Sequence, residues 1–200
     1  MTLLSKIGAL GVLLAWGGLA AAQSADAPAK EEFADKVRVL AETELLSWVE
    51  DPIIIDAIRE QNIRNEGMTN EEVDRLDKAW RAERKTSHKP MIWDLLDRLH
   101  SILLRDRREG SDGVVTEIIV MDRYGLNAAI SDETSDFYQG DEAKYQETYL
   151  IGSDAVHVGD YEYDDSTQKW QTQVSLTVND PENGEPIGAV TFGIDLSVLK

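Results

Sequence analysis

Along the first half of the chain the apolar residues recur at three- and four-residue spacing, the period of helices with one buried face. Phe33, Val37, Leu40, Leu45 and Trp48 trace such a stripe until Asp51-Pro52, where proline breaks the helical hydrogen-bond pattern. Ile54, Ala57, Ile58 and Gln61 resume it in a second segment that Gly67 ends. Thr69-Asn-Glu-Glu72 has the form of a capping box opening a third helix, with Val73, Leu76 and Trp80 on its buried face. Pro90 suits a first helical position, and Ile92, Leu95, Leu96, Leu99, Ile102 and Leu103 predict the most regular apolar stripe of the chain.

From Gly110-Ser-Asp-Gly113 onward the pattern changes to short β-branched runs separated by turn residues. Strands are predicted at 114–121, 126–130, 155–163, 168–178 and 186–194, with turns at Tyr124-Gly125, 164–167 and 179–184. Gly125 and Asn127 serve the first turn before any ligand. Between the second and third strands lies an insertion, 131–153, whose 141–150 portion spaces Tyr145 and Tyr149 as on a helix. On the fourth strand Gln171, Gln173, Ser175 and Thr177 alternate with Trp170, Thr172, Val174, Leu176 and Val178, so one face is polar. The fold class is α+β: N-terminal helices packed on a five-stranded antiparallel sheet with a helical insertion after the second strand. Because a lone sheet must cover its apolar face, one domain is expected over 30–200, helical over 30–109 and β over 110–200.

Residues 1–22 depart from both regimes. Lys6 precedes an uncharged run, 7–19, and Ala20-Ala21-Ala22 comes before the polar Gln23-Ser24, the order of a cleavable signal peptide. The run is short and glycine-rich for a membrane span. A polar linker, 23–29, is expected to follow, and the mature protein is expected to be soluble and periplasmic. The chain has no cysteine, so its stability must come from a packed core rather than disulfides.

The 200-residue chain carries 20 basic and 38 acidic side chains, net −18, which repels phosphate backbones and excludes nucleic acid as a partner. The acidity is uneven. Residues 110–200 hold four cations, Arg123, Lys144, Lys169 and Lys200, against 18 acids, so a bound anion would have few partners there.

The densest set of polar and aromatic residues is Asp122-Arg-Tyr-Gly-Leu-Asn127 followed by Thr134-Ser-Asp-Phe-Tyr-Gln-Gly-Asp-Glu-Ala-Lys144-Tyr145. Together with Ile187-Gly-Ala-Val-Thr-Phe-Gly-Ile-Asp195 this resembles the Cache family of extracytoplasmic, PAS-like sensor domains, over most of the chain. The resemblance implies a small ligand held between the sheet and the loops above it. It leaves the ligand open, since one scaffold serves many chemistries. No kinase, cyclase or methyl-accepting output region follows, so the domain is expected to report occupancy through a membrane or periplasmic partner protein, or through a homodimer.

Read from the residues themselves, the insertion suits a lid. Asp136, Asp141 and Glu142 are acceptors, Ser135 and Gln139 adaptable hydrogen bonders, Lys144 a cation, and Tyr138 and Tyr145 flat walls. Asp122 and Gln173 complete the candidate ligand set, with Ser175 beside Gln173 as floor. A solvated acidic loop with docked aromatics has the same composition. Enzyme signatures are weak: His88, His100 and His157 make no metal-spaced pair, there is no nucleophile elbow, and Phe137 stands where a calcium loop starting at Asp132 needs glycine. The expectation is a non-enzymatic sensor without cofactor, binding an amine-containing metabolite with amino acids first, because Lys144 could pair a carboxylate and the acids an ammonium. A hydrolase or isomerase using paired carboxylates and a protein-binding adaptor are the rival classes.

Overall fold

The computed structural model describes residues 30–164 and 169–199; the expected signal peptide, the linker and most of the 164–167 turn lie outside the described residues. Helix α1 (Lys30–Leu40) runs through a π-helical turn (Ala41–Leu45) into α2 (Leu46–Val49). Asp51 then caps α3 (Pro52–Arg64), its Oδ1 accepting from Ile53 N at 2.9 Å while Pro52 takes the first turn. The capping box forms as predicted at α4 (Asn70–Glu83): Thr69 Oγ1 accepts from Glu72 N, and Glu72 Oε2 accepts from Thr69 N at 2.8 Å.

The long stripe from Ile92 to Leu103 does not survive as one helix. It is split into α5 (Pro90–Leu96) and α6 (Leu99–Glu109) by Arg98, which is extended with ψ 146°. The break turns the second helix, leaving Leu99 65% exposed and Ile102 40% exposed, while Ser101 and Leu104 are buried instead. Ser101 Oγ accepts from Ile130 N at 3.1 Å, fixing the new register against the sheet.

Among the described residues six antiparallel strands follow, one more than predicted: β1 (Val115–Met121), β2 (Asn127–Ile130), β3 (Val156–Val158), β4 (Glu162–Asp164), β5 (Lys169–Asn179) and β6 (Pro186–Asp195). The order is β2-β1-β6-β5-β3, with β4 pairing β5 beside β3. The expected strand 155–163 becomes two because the chain leaves the ladder after Val158. There Gly159 N donates to Gln173 O and Gly159 O accepts from Thr172 Oγ1, bonds that lay the connection against β5. A short helix α7 (Ala143–Gln146) stands in the insertion. Among the described residues no helix is long and apolar enough to cross a membrane.

Alternation along the strands feeds two cores. One face, with Ile118, Val120, Val174, Leu176, Val190 and Phe192, packs on Val37, Leu45, Ile54 and Ile58 of α1 to α3. The helices thus do not form a single layer: α4, α5 and the insertion cover the opposite face, where Ile119, Met121, Leu126 and Ile130 meet Trp80, Ile92 and Phe137. This second core spans the β2–β1 side. Toward β5 the same face turns polar, and there a cleft opens.

Candidate functional site

The turn after β1 sets the geometry. Asp122 is fully buried; its Oδ1 accepts from Tyr124 N at 2.8 Å and Leu126 N at 3.0 Å, and its Oδ2 from Asn65 Nδ2 at 2.7 Å. Burial pushes the Asp122 carboxyl above the ordinary carboxylate range, and the bonds from Leu126, Asn65 and Tyr124 oppose that shift. Gly125, at φ +74°, lets the insertion cross close by: a Cβ there would lie 2.6 Å from Gly140 Cα. The crossing is fastened by Gln139 N donating to Gly125 O at 2.7 Å and Asn127 N to Phe137 O at 3.0 Å.

Helix α4 clamps the insertion from outside. Asp77 Oδ1 accepts from the backbone N–H groups of Phe137 and Tyr138, both at 3.0 Å, and Trp80 Nε1 donates to Thr134 O at 3.0 Å. Trp80 stacks on Phe137, and Arg81 Nε bridges Asp77 and Asp136 at 2.7 and 2.8 Å. At the near end Lys89 and Arg84 converge on Glu133; Lys89 foremost, with Arg84, holds its carboxyl below the usual range.

Held in this way, the insertion has two sides. The inner side roofs a cleft of about 650 Å³, with Ser135, Glu142 and Lys144 on the lid, Glu117 of β1, Gln171 and Gln173 of β5, Gly193 of β6, and a wall of Asp160, Glu162 and Tyr163. On the floor Gln173 Nε2 donates to Glu117 Oε1 at 2.9 Å. A Cβ on Gly193 would fall 2.5 Å from Thr116 Oγ1 and 2.7 Å from Glu117 Cγ, so the bare glycine leaves Glu117 its place over β6. Lys144 is nine-tenths buried; its Nζ donates to Gln139 Oε1 at 3.2 Å and pairs with Glu142 at 3.1 Å. The outer side faces α4 across a second cleft of about 630 Å³ lined by Tyr138, Asp141, Tyr145, Arg123 and Tyr124. Tyr145 donates to Arg123 O at 2.6 Å, and burial raises its hydroxyl pKa.

The ten residues singled out in the sequence therefore do not converge on one cavity. Ser135, Glu142, Lys144 and Gln173 line the inner cleft; Tyr138, Asp141 and Tyr145 line the outer one. Asp122, Asp136 and Gln139 line neither and hold the turn and the lid together. Ser175 lies beneath, its Oγ 2.9 Å from Thr191 Oγ1 in a fully buried pair. Sequence reasoning passed over Glu117, Asp160, Glu162, Tyr163 and Gly193. Glu117 carried a signal, as the lone charge in the strand Val-Thr-Glu-Ile-Ile-Val-Met. Among the described residues no group of three acids, histidines or cysteines lies close enough to hold a metal ion.

No protein-family model and no curated relative matches the sequence. Among solved structures, the chain is similar to the sensor domain of the Vibrio cholerae histidine kinase DctB, with 14% identity over 84% of this chain and 54% of that one, at a TM-score of 0.46. It is also similar to the ligand-binding domain of the Pseudomonas fluorescens chemoreceptor CtaA, solved with L-alanine, at 14% identity over 84% of this chain and 57% of that one, TM-score 0.39. A third is the ligand-binding domain of the Pseudomonas aeruginosa chemoreceptor PctC, solved with GABA, at 15% identity over 86% of this chain and 63% of that one, TM-score 0.37. The chain spans about half the length of the DctB sensor domain.

Proposed function

We propose that this chain is a Cache-type sensing module that acts in the periplasm after loss of residues 1–22 and binds an amine-containing metabolite in the inner cleft without altering it covalently. The observation that carries this reading is the cleft itself. Its volume suits a small metabolite, and its polar groups come from β1, β5 and the lid, three elements whose relative placement is set by hydrogen bonds rather than by the cleft's contents. Four of the five charged residues on the lining are acids, which favours a ligand bearing an ammonium group. A thermal-shift screen of the purified protein against amines, amino acids, dicarboxylates and purines tests it. A ligand at a hundred times its Kd should stabilise the fold by about 2.7 kcal/mol, and chromatography should recover that ligand unchanged. A flat response across the saturating panel, or a converted ligand, overturns the proposal.

A further inference from the structure

The charges of the inner cleft define its ligand more narrowly. Four carboxylates, Glu117, Glu142, Asp160 and Glu162, face one ammonium, that of Lys144. Lys144 is not available to a ligand carboxylate: it is nine-tenths buried and already shared between Glu142 and Gln139. Glu117, Asp160 and Glu162, by contrast, have no lysine or arginine paired with them among the described residues. They come from separate elements, β1, the connection after Gly159, and β4. Among the described residues no three of these acids lie close enough together to hold one metal ion, so the charges are spread along the cleft rather than gathered at a point. Carboxylates without a paired cation, contributed by separate elements along one cleft, suit a ligand that supplies positive charge at more than one point. A zwitterion brings a further carboxylate into a lining of net −3 with no free cation to receive it.

We infer that the cleft selects a small organic dication, a linear diamine or longer polyamine, with one ammonium at Glu117 on the floor and another at the Asp160–Glu162 wall, and that it discriminates against amino acids. This rests on the inner cleft being the ligand site.

Isothermal titration of the purified protein with 1,4-diaminobutane, n-butylamine, L-alanine, succinate and calcium chloride tests the inference. The diamine should bind saturably at one site, n-butylamine at least about tenfold more weakly, and the other three should give no saturable heat. Glu117→Gln and Glu162→Gln should each weaken the diamine about tenfold or more, whereas Glu66→Gln, an exposed acid outside the cleft, should leave its affinity unchanged. Thermal melts of the three variants establish that each remains folded. If L-alanine binds at one site and the diamine does not, the dication is wrong while the sensing module stands. Calcium that displaces the diamine, or a diamine affinity that Glu66→Gln lowers as much as Glu117→Gln, overturns the inference as well. A panel without any binding, repeated with the wider metabolite screen, removes the sensing module itself.

Discussion

Asp122, a candidate ligand residue in the sequence, lines neither cleft and is bonded instead within the turn after β1. Among the described residues no lysine or arginine pairs with its carboxyl, and three N–H donors, two from the backbone and one from Asn65, point at its oxygens. Asp122→Ala leaves all three donors without their acceptor, the Leu126 N–H fully buried and those of Tyr124 and Asn65 partly so, which costs about 2–4 kcal/mol by the usual penalty for unmet buried groups, and the urea midpoint should fall accordingly. Glu133 is the converse case. Lys89 and Arg84 depress its folded-state pKa, so its contribution is complete above the ordinary carboxylate value of about 4.3 and is lost as pH falls through the lower folded value. Amide protection factors in residues 133–139, taken relative to the intrinsic exchange rate at each pH, should therefore fall on acidification before those of the sheet do. In Glu133→Gln that lid-specific acid step should be absent; an unchanged pH profile in the variant would show that Glu133 does not hold the lid.

At the level of elements, what could be read in advance was what adjacent residues decide among themselves. Thr69 with Glu72 and Pro90 open helices where they were expected, and Asp51-Pro52, expected as the break after the first stripe, also caps and starts α3; each acts on backbone within four positions. Distant contacts decided the remainder. Nothing between Leu96 and Leu99 announces a break, since the apolar period runs straight through; Arg98 extends because Ser101 must reach Ile130 across the sheet. Gly159 parts β3 from β4 through bonds to residues 172 and 173. The lid residues were recognisable as a set, but an irregular segment has no period to say which side chains face in, so Lys144 and Asp141 looked alike and lie on opposite sides. The crossing at Gly125 and Gly140 makes this division possible. Gly125→Ala combines a left-handed backbone with a Cβ driven into Gly140, and about 2–4 kcal/mol of stability should be lost in denaturant titration.

For the whole molecule the governing quantity is charge. At net −18 the chain surrounds its cleft with a negative field, so a cation is drawn toward the protein before it meets Glu117. That long-range part is screened by salt, whereas contacts inside the cleft are screened much less. Raising ionic strength from about 0.01 M to about 0.1 M shortens the Debye length from ~30 Å to ~10 Å, which removes the distant attraction and spares the ion pairs with Glu117, Asp160 and Glu162. The association rate of 1,4-diaminobutane should consequently fall steeply over that range while its dissociation rate changes little. In Glu117→Gln the pattern reverses: one charge among 38 acids scarcely alters the field, so the association rate holds, and the lost floor contact appears as faster dissociation. Stopped-flow competition at the two salt concentrations separates the effects. An association rate indifferent to salt would mean that the acidic surface plays no part in capture, and a dissociation rate indifferent to Glu117→Gln would place the ammonium somewhere other than the cleft floor.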